Sequence, residues 1–162
     1  MRKIGNQILS GVIIETEAYK GKNDPASHAS RRKTERNKIM FGEVGRAYVY
    51  FTYGMHYCFN VVAKKENDES GAVLIRAIHP QQGIKRMIKN RKTDIIPNLT
   101  NGPGKLTQAM EITLKQYTLD LTKNTSLFIV DSKKPRKIIV KARIGIKEGT
   151  DKLWNFSCDS YF

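Results

Sequence analysis

Along the first half of this chain, apolar residues fall in short β-branched blocks or alternate with polar ones, and polar breaks separate the blocks. The run QILSGVIIETE, from Gln7 to Glu17, predicts a strand with a bulge at Gly11. Residues 20–37, KGKNDPASHASRRKTERN, are polar and rich in turn formers. A break of that length inside a compact domain predicts a functional loop. Two strands follow at 46–52 and 57–63, joined by the turn Tyr53-Gly54-Met55-His56. A second turn, KKENDESG (64–71), leads into a third strand, AVLIRAI (72–78), so these three strands form an antiparallel meander. The period then changes: over 81–91, Ile84, Met87 and Ile88 share one helical stripe. A second short helix is predicted from Lys105 to about Glu111, after Gly102-Pro103-Gly104, and strands return at 126–130 and 137–146. Strands with helices in the middle make an α+β domain.

At 162 residues and 40% hydrophobic content, the chain suits a single domain over 1–162 with one packed core. No stretch reaches the roughly 20 apolar residues of a membrane span. The start, MRKIGNQILSGV, lacks the apolar core of a signal peptide. The expectation is a cytoplasmic protein with no membrane partner, nucleoid-associated if prokaryotic. Charge sharpens this picture. Lys and Arg number 29 against 15 acids, a net charge of +14, and they cluster at 31–38, 85–92 and 133–143. Separated basic clusters on a folded domain are an electrostatic footprint for a polyanion, usually nucleic acid. Cys58 and Cys158 form no CxxC, and His28, His56 and His79 lack the spacings of structural zinc, so neither a metal nor another cofactor is expected and two buried thiols are.

The stretch YVYFTYGMHYCFN (48–60) holds six aromatic side chains. In a strand, Tyr48 and Tyr50 share one face and Val49 and Phe51 the other. Tyr53, beside Gly54 at the turn, either folds back onto its hairpin or projects as a wedge for a base stack. Glu15 and Glu17 stand two apart on one strand face; either both are solvated or one enters a pocket as a general base. His28 in the loop and Arg76 on the third strand are equally two-sided: surface hydrogen-bonders or site residues.

The combination is more specific than its parts. IIETEAYKGKNDPASHAS, TERNKIMFG, G-RAYVYFTYGMHYCFNVV, AVLIRAIHPQQG, NGPGKLTQAM and ARIGI occur in this order. Together, from about Ile8 to Trp154, they closely resemble the 3-methyladenine (alkyladenine) DNA glycosylase family. The resemblance implies a curved, mainly antiparallel sheet with a few short helices, and a monofunctional enzyme. Such an enzyme flips alkylated or deaminated purines out of double-stranded DNA, hydrolyses their N-glycosidic bond and so initiates base excision repair. By motif position it implies that Glu17 activates water, with Arg76 and the main-chain carbonyl of Ile144 helping to hold it. Tyr19, His28 and Tyr50 would sandwich the flipped base. Asn60 would oppose the 2-amino group of guanine, and Tyr53 would fill the gap in the duplex. Arg36, in the basic loop, and Lys105, at a helix start, become DNA contacts. No lysine falls at the catalytic position, so a Schiff-base step is not implied.

The family pattern also sets an expectation for the ends. Members carry a helix and strand ahead of the ETEAY strand and a further segment after ARIGIKEGTDKLWNF. The expectation is therefore a domain shortened at both ends, acting as a monomer. A different class of function follows if that shortening removes activity: a non-catalytic binder of damaged or single-stranded nucleic acid. A basic, aromatic RNA-associated protein is the third class, and the ordered motifs speak against it.

Overall fold

The β-branched run beginning at Gln7 forms the longest strand of the protein, β2 (Gln7–Lys20), in a computed structural model that describes residues 1–158. The end of the SCDSYF segment, 159–162, lies outside the described residues. Ahead of β2 stands β1 (Arg2–Ile4); after it come β3 (Ala47–Thr52), β4 (His56–Val62), β5 (Gly71–Gln82), β6 (Ile139–Lys141) and β7 (Asn155–Ser157). Among the described residues these make one open antiparallel sheet of seven strands, in the order β3-β4-β5-β2-β7-β6, with β1 paired to β2. Among the described residues two α-helices, α1 (Ile84–Arg91) and α2 (Pro103–Ala109), complete a single α+β domain. No helix among the described residues is long and apolar enough to cross a membrane.

The period of two in the strands sorts side chains to the two sheet faces. Val49, Phe59 and Ile75 turn to the face covered by α1 and α2, where they meet Leu9, Met87 and Leu106. Each such side chain, once buried, contributes about 1.5–3 kcal/mol. Thr107 Oγ1 also donates to the Tyr57 carbonyl at 2.9 Å, which ties α2 to β4. The opposite face holds a smaller cluster: Tyr48, Val62 and Ala72 against Ile39 and Met40 of a 3₁₀ turn at Lys38–Phe41. This second face carries the candidate site.

Several boundaries differ from the sequence expectation. The bulge at Gly11 is present, and further register shifts surround Glu15. Strand β5 runs on to Gln82, so α1 starts at Ile84 and not at residue 81. Gly83 makes the change of direction: its φ is +75°, and a Cβ there would stand 2.9 Å from the Ile8 carbonyl oxygen. Helix α2 starts at Pro103, with the proline in the first turn where its missing N–H costs nothing, and it ends at Ala109. Residues 126–130 do not form a strand. Their backbone bonds are divided, Ser126 and Phe128 pairing with Lys3 and Met1 while Ile129 bonds Leu121. The strand expected over 137–146 shrinks to Ile139–Lys141, because from Arg143 onward the chain turns inward to serve the site. Cys58 is buried as expected, whereas Cys158 is only half-buried.

Candidate functional site

One cross-strand row builds the site. Tyr48 (β3) faces Asn60 (β4), Asn60 faces Leu74 (β5), Leu74 faces Glu17 (β2), and Glu17 faces Asn155 (β7). Register alone therefore places an aromatic, an amide and a carboxylate on one line across the sheet. Above this row lies a cleft of about 340 Å³ whose lining includes Tyr19, His28, Tyr50, Asn60, Arg76 and Ile144. Tyr53 stands at its rim. The structure thus gathers seven of the sequence-predicted site residues around one cavity.

Glu17 is fully buried and sits behind that lining rather than in it. Its Oε1 accepts from the Ile144 backbone N–H at 2.7 Å and from Asn155 Nδ2 at 3.0 Å. Its Oε2 accepts from the Tyr19 hydroxyl at 2.8 Å. Arg76 Nε lies 3.5 Å from Glu17 Oε1 and 3.4 Å from Glu15 Oε1, in charge contact with both carboxylates. Asn155 Nδ2 bridges the same pair, reaching Glu15 Oε1 at 2.8 Å, and Lys141 Nζ approaches Glu15 at 3.7 Å. A buried carboxylate without partners is strongly disfavoured; this one has two hydrogen bonds on one oxygen, a third on the other and a cation alongside.

The walls are neutral phenols. Burial, with the Glu17 charge second, pushes the Tyr19 hydroxyl well above its ordinary value. Burial likewise raises Tyr50, and it pushes Tyr48 up to about 12. His28 meets the Tyr50 ring edge-on at 4.7 Å between centroids, and its Nδ1 shares one hydrogen with the Tyr48 hydroxyl at 2.8 Å. Burial first, then the Arg36 charge, holds His28 below its ordinary value of 6.5, so the imidazole is neutral at pH 7. The unfolded chain then takes up a proton that the folded chain refuses. The His28 contribution is whole above pH 6.5 and is lost as pH falls through the lower, folded value. The melting temperature of the wild-type protein is expected to fall between pH 7 and pH 5 more steeply than that of His28→Asn, as thermal melts across that range would record.

Tyr53 does not fold back onto its hairpin. It is 84% exposed, and both it and Gly54 have positive φ, +52° and +67°. Two consecutive left-handed residues make a type I′ turn, which ordinarily takes Asn-Gly. Holding a tyrosine there costs roughly 1 kcal/mol of backbone strain. Asn60 donates through Nδ2 to the Tyr48 carbonyl at 3.0 Å, which fixes the orientation of its amide beneath the cleft. The two expected DNA contacts stand outside the cleft: Lys105 Nζ bonds Asn101 Oδ1 at 2.8 Å on α2, and Arg36 lies over the Tyr50 ring at 5.0 Å.

Four supporting residues lie outside the sequence-predicted set. Arg143 and Asp24, both without side-chain exposure, form a two-pronged ion pair with both N···O distances at 2.7 Å. The Arg143 guanidinium also donates to the Ala18 carbonyl at 3.0 Å and lies over the rings of Tyr19 (4.7 Å) and Trp154 (5.1 Å). It therefore braces the back of one wall and holds the segment whose next amide, Ile144, serves Glu17. Asn37 ties down the long loop, donating to the carbonyls of His28 (2.7 Å) and Arg32 (2.9 Å). Asn155, described above, is the fourth. Only Asn37 leaves a local signal, the T-x-x-N spacing from Thr34, whose N–H donates to Asn37 Oδ1 at 2.6 Å.

Comparison with known proteins meets the geometry at this point. The family model described as "Methylpurine-DNA glycosylase (MPG)" matches residues 1–161. A protein of Prosthecochloris aestuarii named "Putative 3-methyladenine DNA glycosylase" is 51% identical over 146 residues, which is 89% of this chain and 69% of that one. One of Carboxydothermus hydrogenoformans with the same name is 47% identical over 158 residues, 96% of this chain and 82% of its own. A third, from Francisella tularensis subsp. tularensis, is 43% identical over 95% of this chain and 81% of its own.

Proposed function

The chain belongs to the methylpurine-DNA glycosylase family, and on that premise we propose that it excises damaged purines from double-stranded DNA by a water that Glu17 activates. It is a hydrolase of N-glycosyl bonds, in the service of repairing alkylated DNA. The observation that carries the mechanism is Glu17 itself. It is a fully buried carboxylate, held on three hydrogen bonds immediately behind an aromatic cleft on a strongly basic protein.

A purine inside a duplex hides the bond to be cut, so the nucleotide has to leave the stack. Tyr19 and Tyr50 supply π-faces for the extruded base and His28 supplies a neutral edge. Glu17 touches three residues of the cleft lining, Tyr19, Arg76 and Ile144, and water meets the carboxylate among them. The water oxygen bonds to C1′, its proton passes to Glu17, and the electron pair of the C1′–N bond leaves with the purine. An N-alkylated, cationic purine departs neutral and needs no acid.

Asn60 faces the base edge with an amide already turned by the Tyr48 carbonyl, and it discriminates against a 2-amino group. Tyr53 takes the space the nucleotide vacates. Tyr53→Asn separates this role from folding. Asparagine suits the left-handed turn, so stability is expected to stay level or rise by up to ~1 kcal/mol. Excision from duplex should nevertheless fall by tenfold or more, measured as single-turnover base release beside a thermal melt.

The test of the reading is release of free hypoxanthine or 3-methyladenine from lesion-bearing duplex, separated chromatographically. Well-folded protein that binds lesion duplex tightly and releases no base would instead be a non-catalytic binder, and the proposal would fall.

A further inference from the structure

Tyr50 is shared between two depressions. On one side it lines the cleft; on the other it lines a shallow hollow with Arg36, Val49, Phe51 and Leu114. Arg36 lines this hollow and not the cleft, and its guanidinium lies over the Tyr50 ring, 5.0 Å from the centroid. Its Nη2 reaches the Phe51 carbonyl at 3.5 Å, which helps hold it against the ring.

Two other cations at the cleft are neutralised. Arg76 stands between Glu15 and Glu17, and Arg143 is locked onto Asp24. Among the described residues Arg36 forms no ion pair, since its neighbour Glu35 is taken by Lys38 at 2.7 Å. One uncompensated positive charge therefore backs one wall of the cleft. Its field reaches the cleft side, where after burial it is the second cause that depresses His28.

A tyrosine face attracts a cation through its quadrupole. A cation already over the ring weakens that attraction and repels a second cation beside it. A neutral purine feels neither effect to first order and keeps its stacking. We propose that Arg36 is a specificity-determining residue, whose stacked guanidinium tilts the cleft toward neutral damaged purines and away from cationic ones. This rests on the reading of the cleft as a purine pocket.

The experiment compares wild type, Arg36→Gln and Arg36→Lys on duplexes of one sequence bearing either hypoxanthine (neutral) or 3-methyladenine (cationic). The quantity read is the ratio of kcat/KM for the cationic over the neutral lesion. Arg36→Gln is expected to raise that ratio about fivefold, the size expected for one charge roughly 8 Å away through a partly hydrated site. Arg36→Lys keeps the charge and should leave the ratio near that of wild type. Any weakening of phosphate binding in these variants lowers both rates together and cancels in the ratio. A ratio unmoved by Arg36→Gln, or raised equally by Arg36→Lys, overturns the inference. Wild-type protein that releases neither base overturns the glycosylase reading instead.

Discussion

Glu17→Gln is expected to lower base release by about a thousandfold or more, within the range for removing a general base, while lesion binding changes only a few-fold. Glutamine has the shape of the side chain it replaces, and the surroundings accommodate it. Its amide oxygen can accept from the Ile144 N–H and Asn155 Nδ2, where Glu17 Oε1 now does. Its NH₂ can donate to the Tyr19 hydroxyl oxygen, which now donates to Oε2. Arg76 keeps Glu15 as its counter-charge at 3.4 Å. What disappears is the negative charge and the basic lone pair that takes the proton from water. The walls that hold the base, Tyr19, His28 and Tyr50, are untouched. Single-turnover release from a hypoxanthine duplex, beside a gel-shift titration of the same duplex, measures both halves. Undiminished release by the variant would remove Glu17 from the role of base.

The two halves of the site differ in how far sequence alone can reach them. The hairpin is readable because a period of two and a tight turn fix register, and register places Tyr48 opposite Asn60 and Tyr50 opposite Cys58. Glu17 is readable as one of two carboxylates on a strand face. The residue-level choice between solvated and buried is one that only the neighbouring strands decide. β7 and β6 make that decision, and each is three residues long. Strands so short exist by pairing with β2 and with each other, not by propensity, so Asn155 cannot be read as a site residue. The segment SLFIV misleads for the opposite reason: it has strand propensity, but its backbone partners are split between two parts of the chain. Arg143 is the sharpest case. It stands inside an expected strand, yet its planar guanidinium finds a carboxylate 119 residues away and turns the chain inward.

That ion pair gives the second large effect. Asp24→Asn leaves the Arg143 guanidinium buried with its charge uncompensated, which costs about 3–5 kcal/mol. For a chain of this length that corresponds to a fall in melting temperature of roughly 10 °C. Activity should fall as well, through two contacts. The Arg143 guanidinium braces the Tyr19 ring at 4.7 Å, and the adjoining Ile144 amide donates to Glu17 Oε1 at 2.7 Å. A double replacement without charge, Asp24→Asn with Arg143→Met, separates the two consequences, since asparagine can still accept through Oδ1 from a backbone N–H of Lys20 or Ala26. Removing both charges eliminates the unpaired cation, so much of the lost stability should return. Base release should stay low, because methionine neither donates to the Ala18 carbonyl nor stacks as a plane between Tyr19 and Trp154. Thermal melts and single-turnover release on the three proteins check both parts. A double variant as active as wild type would make the pair a fold brace alone, and a single variant melting within a couple of degrees of wild type would deny it even that.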